Sequence, residues 1–180
     1  QTDGRIEAIT AKDPQQPKVR RRVLADLDSA PYPEQPIVPF LETIHDRVAI
    51  EVARGCTRGC RFCQAGYIYR PVRERQPDTI RNLIDQLLKH SGYDEVSLLS
   101  LSTGDYSAIE TLMQNLMGCY ADQSIAVSLP SLRVGSLTPE LMNEIKKVRK
   151  TGFTLAPEAG SERLRQVINK GINAEDLVDS

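Results

Sequence analysis

Short, mostly apolar runs alternate with amphipathic helical stripes from residue 48 to residue 168, and no other feature narrows the fold as far. The first run, 48–53, is apolar except for Glu51 and reads as a buried strand. Pro77 is placed to open a helix in which Ile80, Leu83, Ile84, Leu87 and Leu88 share one face, and Gly92 ends it. Val96, Leu98, Leu99 and Leu101 predict a second strand. Ser107 and Glu110 have the spacing of a capping box, ahead of a helix carrying Ile109, Leu112, Met113, Leu116, Met117 and Tyr120. Residues 125–129 predict a third strand, and Thr138-Pro139 predicts a helix with Leu141, Ile145 and Val148 inward. Residues 153–156 predict a fourth strand. Ser161 caps a helix bearing Leu164, Val167 and Ile168 that Gly171 stops, and Asn173 caps another helix start.

Strand then helix, repeated in this way, means βαβ units with right-handed crossovers and a parallel sheet. Parallel strands are covered on both faces, which accounts for their near-continuous apolar character. The fold class is therefore α/β: either a partial, four-unit βα-barrel with outer helices or a small doubly wound sheet. In both, functional groups collect at the C-terminal ends of the strands. A chain of 20.1 kDa is large enough for a core, with roughly 8,700 Å² exposed when folded against roughly 29,000 Å² unfolded.

The first 45 residues differ. Six of the 11 prolines, Pro14, Pro17, Pro31, Pro33, Pro36 and Pro39, precede residue 40. Proline fixes φ and removes a donor, so residues 1–45 read as a proline-rich arm and 46–180 as the folded part. A β-hairpin is expected in the arm, with 6–10 and 19–24 flanking a turn at 13–17. Lys18, Arg20, Arg21 and Arg22 form a basic run, a solvated strand face or a nucleic-acid contact. A net charge of −1 gives no global attraction to nucleic acid. No apolar stretch reaches the ~18 residues of a membrane span, and the start has no signal-peptide pattern. A chain that opens on Gln1 and closes on an unfinished helix start reads as a piece of something longer.

The first strand runs directly into Gly55-Cys56-Thr57-Arg58-Gly59-Cys60-Arg61-Phe62-Cys63. Three of the 4 cysteines sit in this loop and Cys119 is far away, which is poor disulfide arithmetic and good metal arithmetic, so a reducing cytoplasm is expected. Soft sulfur donors select zinc or iron–sulfur clusters. A structural zinc site closes with four ligands, and Cys119 lies off its helix's apolar stripe, as a small, partly buried residue would. Three cysteines on a cubane cluster leave one iron open. His45, ahead of the first strand, and His90, closing a helix where it complements the dipole, are read as non-ligands.

This C-x3-C-x2-C loop, with the aromatic Phe62 before its last cysteine, resembles the signature of the radical SAM superfamily. The strings HDRVAIEVARGCTRGCRFCQAG, YRPVRER, SLLSLSTGDYS, SLPSLRVGSL and APEAGSERLRQVINKG are similar to one group within it, the large radical SAM proteins with an upstream cobalamin-binding domain. The resemblance covers the chain from about His45 onward. It implies a radical SAM partial barrel in which Cys56, Cys60 and Cys63 hold a [4Fe-4S] cluster that binds S-adenosylmethionine at the open iron. One electron then yields methionine and a 5′-deoxyadenosyl radical that abstracts hydrogen from a substrate. An electron donor such as flavodoxin or ferredoxin is implied, and cobalamin through a domain outside this chain; no residue here is assigned to cobalamin. Superfamily cores usually have six strand–helix units and four are legible here. Such a truncated barrel should associate, be capped by its arm, or be less stable than the full core.

The same resemblance suggests where S-adenosylmethionine would bind. Ser102, Thr103, Gly104 and Asp105 end the second strand where the superfamily has a glycine-rich turn for the amino group. A glycine beside an acid suits an ammonium. The sequence departs from the usual Gly-Gly-Glu, and an ordinary strand–helix turn is the other reading. Ser131 and Arg133 follow the third strand, where Arg133's forked donors suit a carboxylate. Glu158 follows the fourth, suited to ribose hydroxyls or to anchoring a loop. Phe62 would pack on adenine or in the core. Arg54, Arg58, Arg61, Arg70, Arg73 and Arg75 crowd the loop, to tune a cluster, to meet an anionic substrate such as RNA, or as a solvated loop. RNA is not favoured, because few aromatics beyond Tyr67 and Tyr69 accompany them. A rival of another class is a zinc-stabilised binding module with Cys119 or a histidine as fourth ligand. A blander one is a fragment that folds without metal.

Overall fold

The computed structural model describes residues 10, 12, 20–149 and 152–179. Most of the hairpin expected at the start, including its turn at 13–17 and Lys18, lies outside them. The elements in chain order are β1 (Val48–Glu51), β2 (Ala53–Arg54), α1 (Ala65–Ile68), β3 (Arg73–Glu74), α2 (Pro77–Ser91), β4 (Glu95–Leu99), α3 (Ile109–Tyr120), β5 (Ala126–Ser128), α4 (Pro139–Ile145), α5 (Glu162–Val167) and α6 (Ala174–Val178). A 3₁₀ turn, Thr103–Asp105, follows β4, and another, Ala121–Gln123, follows α3.

Strands β1, β4 and β5 form a parallel sheet in the order β1-β4-β5, with Val48 opposite Val96 and Val96 opposite Val127. Val48, Ile50, Val96 and Leu98 are buried on one face with Ile80, Ile84 and Leu87 of α2 and with Leu112, Met113, Leu116 and Met117 of α3. Both crossover helices thus share one core with one face, the barrel-type arrangement and not the doubly wound one. On the other face Ala49 and Leu99 are exposed while Ser97 and Ala126 are buried, so that face is covered only in part.

Three expectations change. The run 48–53 is two strands: after Glu51 the chain turns away, and β2 pairs antiparallel with β3, Ala53 opposite Glu74. The capping box at Ser107 does not form. The Ser107 hydroxyl donates to Glu74 instead, Glu110 accepts from Thr138 Oγ1 at 2.9 Å, and Ala108 takes the cap position without a side-chain bond. The fourth strand is also absent among the described residues. Residues 153–156 run without ladder bonds, resting Phe153 and Leu155 on the core while Thr154 and Ala156 stay exposed beyond the three-residue β5. The caps at Thr138, Ser161 and Asn173 form as expected, the last as a full capping box. Gly92 closes α2 in the left-handed conformation. Helix α5 ends at Val167, short of Gly171, with Asn169 left-handed just beyond it.

The arm is partly docked. Leu27 is buried, and the Asp28 carboxylate accepts from the Gln76 amide at 3.0 Å, at the start of α2. Tyr32 donates to the Ala49 carbonyl at 2.5 Å and Arg75 Nε to the Glu51 carbonyl at 3.2 Å. These two side chains satisfy carbonyls on the free edge of β1, a device that keeps an edge strand from pairing with another chain. Further along, Ile37, Phe40, Leu41 and Ile44 are at least 80% exposed.

Candidate functional site

The cysteine loop leaves the sheet at the C-terminal end of β1, between the paired β2 and β3. Gly55 has φ +87, and a Cβ there would lie 2.5 Å from the Tyr69 carbonyl oxygen and 2.8 Å from that of Pro71, so the loop closes only over a glycine. Cys60 is buried and Cys56 and Cys63 are half-buried, and none forms a disulfide. The Gly66 amide donates to Cys63 Sγ at 3.4 Å, and Arg133 Nη1 lies 3.7 Å from Cys60 Sγ. An amide and a guanidinium thus point at two of the loop's three sulfurs. Among the described residues no three His, Cys, Asp or Glu side chains gather closely enough to hold a single ion. Cys119 is on α3, packed against the core. His45 bonds Arg47, and His90 bonds the carbonyls of Gln86 and Glu34. Three soft thiols on one tight loop, with amide and guanidinium donors at sulfur, fit a cluster in donor chemistry.

The structure gathers the other candidate residues around this loop. Arg58 grips Asp105 with both arms of its guanidinium, Nε to Oδ2 at 2.7 Å, joining the loop to the turn after β4. Arg58 thereby holds the Asp105 carboxyl below the usual carboxylate range. Burial works against it, and Ser102 Oγ, donating at 2.7 Å, adds to it. Thr103 is fully buried, its hydroxyl 3.1 Å from Ser100 Oγ and its amide bonded to the Ser131 carbonyl. Gly104 lies against Ser136, where a Cβ would come within 2.5 Å of Oγ. Ser131 and Glu158 both adopt positive φ, +63 and +68, a strained backbone of the kind that collects at functional sites.

Arg133 donates to the Lys170 carbonyl, and Lys170 Nζ pairs with Glu158 at 3.1 Å and stands 5.9 Å from the Phe62 ring centre. Phe62 is 54% exposed, so it is not a core residue. Lys170 and Asn169 were not legible as site residues. Asn169 donates to the Gly59 carbonyl at 2.9 Å and Arg61 to the Val167 carbonyl, so the end of α5 is laced to the cysteine loop across more than 100 residues of sequence. The only sequence hint was an Asn-Lys-Gly helix stop, an ordinary ending.

The six arginines have assigned positions. Arg54 pairs with Glu51 bidentately, Arg58 with Asp105, and Arg61 with a carbonyl. Arg70 bonds the carbonyls of Cys56 and Thr57, each at 3.3 Å, while stacked on Tyr67. Arg73 bonds the carbonyls of Pro71, Leu24 and Tyr69. Arg75 is 1% exposed, and among the described residues its two Nη atoms have no hydrogen-bond partner; its guanidinium rests over the Tyr32 ring at 5.6 Å. Of the six, Arg70 and Arg73 brace the backbone of the loop and its return.

Comparison with known proteins gives a consistent picture. Residues 50–180 match the sequence model of the radical SAM superfamily. An uncharacterized protein of Methanocaldococcus jannaschii is 35% identical over 97% of the chain and 38% of its own length. The ribosomal protein uS12 methylthiotransferase RimO of Thermotoga petrophila is 26% identical over 96% of the chain and 38% of its own length. A tRNA-2-methylthio-N(6)-dimethylallyladenosine synthase of Desulforamulus reducens is 27% identical over 72% of the chain and 30% of its own length. The chain thus spans less than two-fifths of these curated relatives.

Proposed function

The chain belongs to the radical SAM superfamily, and from that premise we propose that Cys56, Cys60 and Cys63 hold a [4Fe-4S] cluster at the C-terminal edge of the sheet. Superfamily membership implies the cluster and S-adenosylmethionine in general; their assignment to these residues is our reading. The observation that carries it is the convergence of the loop with the Ser102–Asp105 turn through Arg58. When bound, the two cofactors supply one-electron cleavage of S-adenosylmethionine and a carbon radical that takes hydrogen from a substrate. The residues of this chain position and shield that chemistry. Arg133 and the Gly66 amide donate toward the sulfurs of Cys60 and Cys63. Ser102, Gly104 and Asp105, with Thr103 buried behind them, form the polar turn offered to the ammonium, and Ser131 and Arg133 after β5 and Glu158 in the later loop flank it. Phe62 presents an exposed ring for the adenine.

The free thiols of the loop suit a reducing cytoplasm, where a flavodoxin or ferredoxin would deliver the electron. Among the described residues no helix is long and apolar enough to cross a membrane. A second reading, methylthio transfer to an RNA or ribosomal protein, is favoured by the names of two relatives. Against RNA contact at the loop stands the engagement of its arginines with the protein's own carbonyls and carboxylates. The comparisons add no support for cobalamin.

The test is iron, sulfide and zinc content after anaerobic reconstitution. Near-stoichiometric loading of four irons, lost when Cys56, Cys60 and Cys63 are changed to serine, is expected. One tightly held zinc without sulfide would establish the binding-module alternative.

A further inference from the structure

Beside the cysteine loop a cleft of about 710 Å³ opens between the arm and the partly covered face of the sheet, a size suited to a small ligand. Its apolar lining comes from Leu99 and Leu101 at the end of β4, from Tyr69 after the loop, and from Leu24 in the arm. The three leucines are 38–43% exposed, so the fold leaves apolar surface turned to this space. Its charge is one-sided. Arg21, Arg22, Arg54 and Arg73 line it against a single carboxylate, Glu51, and Arg54 already neutralises that carboxylate. The arm wall is fastened in place. Arg73 donates to the Leu24 carbonyl at 3.3 Å, and Arg21 donates to the Arg70 carbonyl. Arg22 is left exposed at the rim. Apolar walls raise the field of a nearby cation, because they hold little water to screen it.

We infer that this cleft binds a small amphipathic anion, its apolar body against Leu24, Leu99 and Leu101 and its charged head at Arg22, with the arm as the selecting wall. The inference rests on the reading that substrate arrives at the strand ends, and adds the class of substrate. It makes the proline-rich segment part of the binding site, not only a linker.

The test needs no cluster. Anilinonaphthalene sulfonate, an apolar body with one anionic head, is titrated into the full chain alongside its uncharged counterpart phenylnaphthylamine. Saturable one-site fluorescence with the sulfonate is expected. Leu101→Glu or Leu24→Glu should weaken it by about tenfold or more, by placing a carboxylate in the apolar wall. Leu24 lies in the arm outside the sheet, so its variant stays informative if Leu101→Glu does not fold by circular dichroism. Arg22→Glu should weaken the sulfonate about fivefold and leave phenylnaphthylamine unchanged. Phe40→Ser, in the exposed part of the arm, should change neither. Binding that survives both leucine variants, that disappears with Phe40→Ser, or that is absent altogether overturns the cleft. Equal loss of both probes in Arg22→Glu overturns the anionic head. Iron and sulfide loading of the same variants should match the parent chain, so failure of the cleft and failure of the cluster assignment are read separately.

Discussion

Gly55 and Gly92 both have left-handed backbone, at φ +87 and +72, but they stand in opposite surroundings. A methyl group at Gly55 would press on two carbonyl oxygens of the returning loop, whereas nothing lies within 4 Å of one at Gly92. Gly92→Ala should therefore cost about 1 kcal/mol, the conformational penalty alone. Gly55→Ala should cost about 2–4 kcal/mol, because rigid backbone must also move. Urea unfolding midpoints of the two variants check the contrast. Asp105 provides a pH-dependent fastening. Its folded carboxyl titrates below its unfolded counterpart because Arg58 favours the charged form. The Arg58 contact therefore contributes fully above the unfolded pKa and is lost as the pH falls through the folded one. Asp105→Asn should lower stability near neutral pH by no more than about 1 kcal/mol, since Arg58 is half exposed. The deficit should shrink below the ordinary carboxylate range, as measured by thermal unfolding across pH.

Among the elements, the free edge of β1 shows how the arm contributes to the fold. Tyr32 satisfies one edge carbonyl and Arg75 another, and the Tyr32 ring lies under a guanidinium whose Nη atoms find no acceptor among the described residues. Tyr32→Leu removes both the hydroxyl and the ring face and leaves the buried guanidinium with only its Nε bond to the Glu51 carbonyl among the described residues. A loss of about 2 kcal/mol is expected, with Tyr32→Phe losing about half, the hydroxyl's share. Equal losses in equilibrium unfolding would remove the stacking from this account. The same elements show why the capping box failed. Ser107 has the right spacing, yet Glu74 at the end of β3 reaches it first and Glu110 is engaged by Thr138. A local motif competes with partners that only the assembled fold supplies.

At the scale of the whole molecule, Ile37, Phe40, Leu41 and Ile44 leave apolar surface with nothing against it among the described residues. Such patches promote association. The chain should therefore sediment with a concentration-dependent average mass, and Phe40→Ser with Leu41→Ser should move it toward the monomer. A monomer at all concentrations in the parent chain would show that the arm covers itself in solution.

Periodicity and cap chemistry gave no sign of α1 or β3, but determined the order β1, α2, β4, α3, β5 and α4, the helix caps at Thr138, Ser161 and Asn173, and the cysteine loop at a strand end. Each depends on neighbours within a few residues, where spacing and side-chain chemistry act directly. Resemblance in the cysteine loop and the later strings supplied the superfamily, which the match over residues 50–180 shows. Only the tertiary structure decided the rest. The split of the first strand depends on β3, some twenty residues later, offering β2 an antiparallel partner. The unmade fourth strand depends on β5 being too short to extend the ladder. The lacing of Asn169 and Lys170 to the loop joins groups more than 100 residues apart. Long-range pairing of backbone donors and acceptors leaves little trace in local composition, because a carbonyl in need of a partner looks the same in every sequence.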